Sequence, residues 1–230
     1  MISREITSAI GWCLDNLCPP IIRDFRPFMK FIIKFAYGDK TDMLMDFKDK
    51  LPFLSEDEIA AYYSAMKNVP IAKRPVDLSK KSINFILNNL VGTSILDISC
   101  GRGYLTNKIS ENESLDVMGI DIVRPPSLKP NINFSEGSIT CIPLSDNSYD
   151  TVISSHTLEH VVESRKALSE LKRVAKKRII IVVPRQREYK YTPALHVNFY
   201  PYLYSLQRFI NDPNAKYELF GNDFICVIDK

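Results

Sequence analysis

From Ser94 to Pro184 the chain alternates short aliphatic runs with amphipathic stretches, and no other feature constrains its fold as tightly. Runs near 94–99, 116–121, 132–136, 149–154 and 178–183 have the length and composition of strands, whereas 103–111 and 164–175 have the pattern of helices. Such alternation predicts a parallel sheet covered on both faces. The first run ends as Ile95-Leu96-Asp97-Ile98-Ser99-Cys100-Gly101-Arg102-Gly103, an apolar strand that carries one carboxylate and breaks into a glycine turn. Gly101 and Gly103 let the backbone approach a ligand closely and adopt φ values that a side chain resists.

Beyond Pro184 come a polar and aromatic loop, a helix around 201–210, and two apolar runs, 216–220 and 223–228. Gly221-Asn222 between those runs is a tight-turn signal, so an antiparallel hairpin is expected at the end. Residues 1–92 contain few glycines and repeat their apolar positions at helical spacing. One helix stops at Cys18-Pro19-Pro20, a second covers 27–37, a third opens at Ser55-Glu56-Asp57-Glu58, and a fourth covers 79–89. The expected organisation is an N-terminal helical cap over 1–92 and an α/β domain over 93–230.

At 230 residues the chain has room for one substantial core and a small appended unit, but not for two full α/β domains. A formal net charge of +3 is too small to demand nucleic acid as a partner. Cys13, Cys18, Cys100, Cys141 and Cys226 are scattered and form no Cys-x-x-Cys pair, so neither a disulfide framework nor a metal site is expected, and a reducing cytoplasm is. The start, with Arg4 and Glu5 among apolar residues, does not read as a signal peptide. The longest aliphatic run, 179–183, is far below the roughly 20 residues that a membrane span needs.

Asp97 sits at the carboxyl end of the first strand, the usual ligand side of an open α/β sheet. Asp121 closes the second run and follows Gly101 by 20 residues, where a carboxylate meets the ribose of a bound nucleoside. Spacing alone leaves a nicotinamide-dependent oxidoreductase open, because Gly101-x-Gly103-x-x-Thr106 differs from the dinucleotide-binding pattern only at its third glycine.

Three features together resemble class I S-adenosylmethionine (SAM) methyltransferases of the type 11 kind: Asp97 inside the strand, Thr106 at the third glycine's place, and the segment 146–160 with the terminal hairpin beyond it. The resemblance covers about residues 90 to 183. It implies a Rossmann-like, doubly wound, seven-stranded sheet, mostly parallel with an antiparallel C-terminal hairpin strand, and SAM as cofactor. It places Asp97, Ser99, Gly101 and Gly103 on the methionine side, Asp121 at the ribose, and Ile122 beside the adenine. Ser138 and Ile139 fall where the family often has an acidic residue meeting the adenine, and Ser99 falls where glycine is commoner. Ser155 and His156 fall at the junction of cofactor and acceptor. Arg74 is a candidate for the methionine carboxylate, with Tyr62, Tyr63 and Lys73 as further polar candidates in the cap.

Methyl transfer from a sulfonium is an in-line displacement that depends on enclosure and alignment. An alcohol acceptor gains from a general base, for which His156 and His196 are the candidates, while His160 reads as structural. The strongly basic stretch 163–190 is either a solvated helix face or, through Arg185 and Arg187, a recognition surface for an anionic acceptor. The apolar segment 28–37, with Trp12 upstream, reads as core, as a homodimer interface, or as an interfacial helix that meets a membrane. Segments 23–26 and 35–40 loosely resemble bacterial methyltransferases associated with surface glycans. The expected function is methyl transfer from SAM to a small-molecule or glycan acceptor, at oxygen. A catalytically inactive methyltransferase-fold subunit is the non-enzyme alternative.

Overall fold

The aliphatic runs form one seven-stranded sheet in the order β3-β2-β1-β4-β5-β7-β6. Its strands are β1 (Ser94–Ile98), β2 (Asp116–Asp121), β3 (Asn133–Glu136), β4 (Tyr149–Ser155), β5 (Ala175–Pro184), β6 (Lys216–Phe220) and β7 (Asp223–Asp229). Strands β1 to β5 are parallel, and β7 enters antiparallel beside β5 with β6 as its hairpin partner. This is the expected sheet, and the order reverses at β1, whose neighbours are β2 and β4. The computed structural model describes residues 4–66, 76–191 and 194–230.

Two compact units divide the chain. The sheet unit comprises residues 75–185 and 200–230, and the helical unit comprises 1–74 and 186–199. The break falls earlier than the expected boundary at 92, because helix α6 (Lys80–Asn88) packs Ile83 and Ile86 beside Ile95 of β1.

Alternation along the strands splits the sheet's core into two layers. On one face, Ile95, Val117, Ile153, Ile180 and Val182 meet α6 and helix α7 (Tyr104–Ile109). On the other, Leu96, Val152, Ile179, Ile181 and Val183 meet helices α8 (Ser164–Val174) and α9 (Leu203–Ile210). Period-two alternation inside continuous aliphatic runs is what a sheet covered on both faces requires.

The helical unit contains α1 (Arg4–Asn16), α2 (Pro20–Arg23), α3 (Arg26–Tyr37), α4 (Thr41–Lys50) and α5 (Glu56–Met66). At the expected start of α5, Ser55 and Glu58 form a capping box: the Ser55 amide donates to Glu58 Oε2 at 2.8 Å, and the Glu58 amide donates to Ser55 Oγ at 3.3 Å. Helix α4 was not among the expected elements. Its Leu44, Met45 and Phe47 pack on Met29 and Ile33 of α3. Tyr191 and Leu195 from the loop after β5 join this core, and Tyr62 packs its ring 5.2 Å from that of Phe47. Among the described residues no helix is long and apolar enough to cross a membrane.

Asp150 clasps the entrance of β1 to β4. Its Oδ2 accepts from the amides of Thr93 at 3.0 Å and Ser94 at 3.4 Å, and Lys177 Nζ lies 2.9 Å from its Oδ1. The Lys177 hydrogen bond, helped by those amides, holds the Asp150 carboxyl down at about 2. Gly92 (φ +77°) passes so close that an added Cβ would lie 2.2 Å from Asp150 Oδ2, whereas a Cβ on Gly101 (φ +57°) would meet nothing within 4 Å. Gly92→Ala should therefore destabilise by about 2 kcal/mol or more, and Gly101→Ala by about 1 kcal/mol, the left-handed backbone penalty alone. Denaturant melts of the two variants check this order.

Candidate active site

The parallel register lines up Asp97 with Gly119 of β2 and Ile153 of β4, so its carboxylate lies at the carboxyl end of the central strand. The side chain is 1% exposed. Thr106 Oγ1, from the first turn of α7, donates to Asp97 Oδ2 at 2.6 Å, while Oδ1 has no hydrogen-bond partner. Burial, with the charge of Asp121 adding to it, pushes the Asp97 carboxyl up to about 7. A buried carboxylate oxygen without a partner is costly, and it is the acceptor that a ligand's ammonium group satisfies. The residues present thus fit the methionine end of SAM.

The turn after β1 is shaped by backbone conformation. Ser99, Gly101 and Gly103 all lie at positive φ, +57°, +57° and +73°. Gly103 is required twice over, since a Cβ there would also lie 2.9 Å from Leu128 Cδ1. Ser99 adopts the left-handed conformation without the freedom of glycine, at a cost of about 1 kcal/mol. The Gly101 amide donates to Asp121 Oδ2 at 2.8 Å, and the Ile122 amide donates to Asp121 Oδ1 at 2.8 Å. Asp121 therefore ties the turn to the end of β2, at the place expected for a ribose ligand.

Ile122 is 53% exposed and offers an apolar surface beside this turn. Ser138 is exposed, its hydroxyl 2.9 Å from that of Thr140. The Ile139 side chain is buried in the core layer with Leu96 and Ile120, which leaves its backbone for the contact expected at this position. Arg74 and Lys73 lie outside the described residues.

At the end of β4, Ser155 pairs in register with Val182, and His156 turns sharply at φ +51°. Its amide donates to the Val182 carbonyl at 2.9 Å. Its ring lies between two buried carboxylates, with Nε2 3.1 Å from Asp223 Oδ1 and Nδ1 3.3 Å from Glu159 Oε1. Asp223, at the start of β7, also accepts from Ser82 Oγ at 2.6 Å and the Ser79 amide at 3.1 Å, both at the beginning of α6. Burial disfavours the imidazolium, but the hydrogen bonds and charges of Asp223 and Glu159 outweigh it and raise His156 to about 10. Burial likewise opposes ionisation of Asp223, and the His156 contacts outweigh it, bringing that carboxyl down to about 2. The two carboxylates favour the imidazolium, in which both ring nitrogens carry protons, so this geometry does not supply the free lone pair expected of His156 as a general base.

His196, the other candidate base, belongs to the helical unit, where Nδ1 lies 2.5 Å from Gln186 Oε1 and the ring packs 6.3 Å from Phe199. The aromatic loop around it supplies core and hydrogen bonds to that unit: the Tyr189 hydroxyl donates to Asp15 Oδ1 at 2.6 Å, and Lys48 Nζ donates to the Tyr189 carbonyl at 2.6 Å. Much of the basic stretch is engaged internally, as with Arg173 and Glu170 at 2.7 Å, Lys177 and Asp150 at 2.9 Å, and Arg178 and Asp229 at 2.6 Å. Arg185 is exposed just after β5.

Sequence reasoning missed three contributors. Thr106 registered only as the absence of a glycine, Glu159 as a neighbour of His160, and Asp223 as the first residue of a strand. The spacing of Thr106, three residues past Gly103 in the first helical turn, is a signal that could have found the first. Nothing local pairs Asp223 with His156, 67 residues away.

Residues 96–183 match the methyltransferase domain family. A demethylmenaquinone methyltransferase of Renibacterium salmoninarum is 34% identical over 90 residues, covering 37% of this chain and 38% of that protein. A ubiquinone/menaquinone biosynthesis C-methyltransferase of Escherichia fergusonii is 31% identical over 98 residues, covering 37% and 39%. The chain thus spans less than half the length of these curated relatives. A crystal structure of a SAM-dependent methyltransferase from Aquifex aeolicus superposes with a TM-score of 0.52 at 19% identity, covering 76% of this chain and 98% of that one. The fold is that of a SAM-dependent methyltransferase, and the stretch that matches the methyltransferase domain family, 96–183, runs from β1 to β5 of its sheet.

The His156 cluster makes stability depend on pH at both ends. His156 rises from an ordinary 6.5 to about 10, so its contribution is full below 6.5 and is lost as pH climbs through 10. Asp223 falls from 3.8 to about 2, so its contribution is full above 3.8 and is lost as pH drops through 2. Melting temperature should decline from pH 7 to 10 in the wild type. Asp223→Asn should lose about 3 kcal/mol at neutral pH and show a shallower alkaline decline. Thermal melts across pH for both proteins test this.

Proposed function

We propose that the protein transfers the methyl group of SAM to a small-molecule acceptor. The observation that carries this reading is the buried, half-satisfied carboxylate of Asp97 at the switch point of the sheet, beside a turn whose amides are tied to Asp121. When bound, SAM supplies an electrophilic methyl on a sulfonium. Asp97 would hold the ammonium of its methionine part, Asp121 the ribose hydroxyls, and Ile122 one face of the adenine.

His156, favoured as an imidazolium by Glu159 and Asp223, is not set to take a proton from the acceptor. That favours an acceptor arriving with its own electron pair, a phenolate or enolate, over a neutral sugar alcohol. Oxygen is the atom we propose. Because such anions are also nucleophilic at the adjacent carbon, carbon methylation is the second reading, and the similarity to a ubiquinone/menaquinone biosynthesis C-methyltransferase supports it. Exposed Arg185 supports an acceptor with negative charge.

SAM should bind in calorimetry, and its affinity should rise as pH increases through about 7, where Asp97 ionises. Asp97→Asn should weaken binding about tenfold to a hundredfold and flatten that pH dependence. A folded wild-type protein that does not bind SAM would overturn the proposal. With methyl-labelled SAM and a panel of phenolic and hydroxyquinone acceptors, the carbon shift of the transferred methyl distinguishes oxygen from carbon products.

A further inference from the structure

Helix α3 carries two apolar faces where a helix on the surface of a water-soluble unit needs one. At about 100° per residue, Met29 and Ile33 share one side of it, and both are fully buried in the core of the helical unit. Phe31 and Phe35, one turn apart on the far side, are 75% and 81% exposed. Arg26, Lys30 and Lys34 form a row at i, i+4 and i+8 along the edge between the two faces, and the helix has no acidic residue. Asp46 and Asp42 of α4 hold the first two of these cations in that row, at 2.8 and 2.7 Å. Elsewhere in the same unit Trp12 is 51% exposed and Ile21 83% exposed.

A core explains one face of α3 and leaves the other without cause. Large aromatic side chains standing in water, flanked by Lys34, unpaired among the described residues, and by Arg26 and Lys30 in exposed pairs that lipid phosphates can exchange with, have the composition of helices that lie in the plane of a membrane interface. There the rings enter the boundary between headgroups and acyl chains, and the lysines meet lipid phosphates. A bilayer surface with anionic headgroups is a partner that satisfies the aromatic face and the cationic edge at once.

We propose that the exposed face of α3, centred on Phe31 and Phe35 and edged by Lys30 and Lys34, docks the helical unit peripherally on the surface of a bilayer containing anionic phospholipid. Docking of this kind requires neither SAM nor an acceptor, so its test is independent of the methyl-transfer reading.

The full chain is sedimented with vesicles of phosphatidylcholine alone and of phosphatidylcholine with phosphatidylglycerol. The wild type should partition onto the anionic vesicles, and more weakly in high salt. The double variant Phe31→Ser, Phe35→Ser should keep its melting temperature and lose about tenfold or more in partitioning. Lys30→Gln, Lys34→Gln should reduce binding to anionic vesicles and weaken its salt dependence. Trp12 is the single tryptophan, so Trp12→Phe with Phe31→Trp places one reporter on the face, and its emission should shift to the blue on adding vesicles. Wild-type protein that stays in the supernatant, equal binding by the phenylalanine variant, or an unshifted reporter would each overturn the proposal. A concentration-dependent dimer in sedimentation velocity that the phenylalanine variant abolishes, with no vesicle binding, would assign the face to a second copy of the chain.

Discussion

Asp97 places a carboxylate in the central strand of a sheet covered on both faces, where water cannot solvate it. Thr106 answers only one of its oxygens. The neighbouring arrangement depends on that constraint. Strand β1 is held between β2 and β4, the turn after it runs through left-handed backbone at Ser99, Gly101 and Gly103, and Asp121 anchors the turn from the end of β2. With its carboxyl raised to about 7, Asp97 is poised to ionise when a cation arrives, which makes ligand charge part of the electrostatics of the fold.

A second buried cluster organises the other side of the same sheet end. His156 joins the end of β4, the turn at Glu159 and the start of β7, and Asp223 extends the link to the beginning of α6. The C-terminal hairpin therefore does more than extend the sheet: its first residue holds the proton of a histidine next to the site. Strain falls in the same place, since Ser99 and His156, at the ends of adjacent strands, both occupy backbone conformations that side chains disfavour.

The strands, the helices flanking them and the hairpin were legible in the sequence because each is announced locally, by aliphatic runs, by capping residues such as Ser55 and Ser79, or by the Gly221-Asn222 turn. The turn carrying Asp97, Gly101 and Gly103 was legible for the same reason. Helix α4 was not foreseen, as its apolar residues are interrupted by charges, and its place comes from packing Leu44, Met45 and Phe47 on α3. The aromatic loop after β5 read only as a loop, and it supplies Tyr191 and Leu195 to the helical unit's core.

Periodicity and turn chemistry act over a few residues, so the sequence by itself determined the sheet, its parallel sense and the position of the ligand turn. Charge states are decided by which groups meet in space and by how far water is excluded from them. Only the tertiary structure could show that His156 is clamped as an imidazolium by carboxylates from distant elements, that Ile139 turns into the core, and that Thr106 leaves one oxygen of Asp97 unanswered. Burial also distinguished the two faces of α3, because hydrophobicity records what a side chain prefers and only packing shows whether that preference has been met.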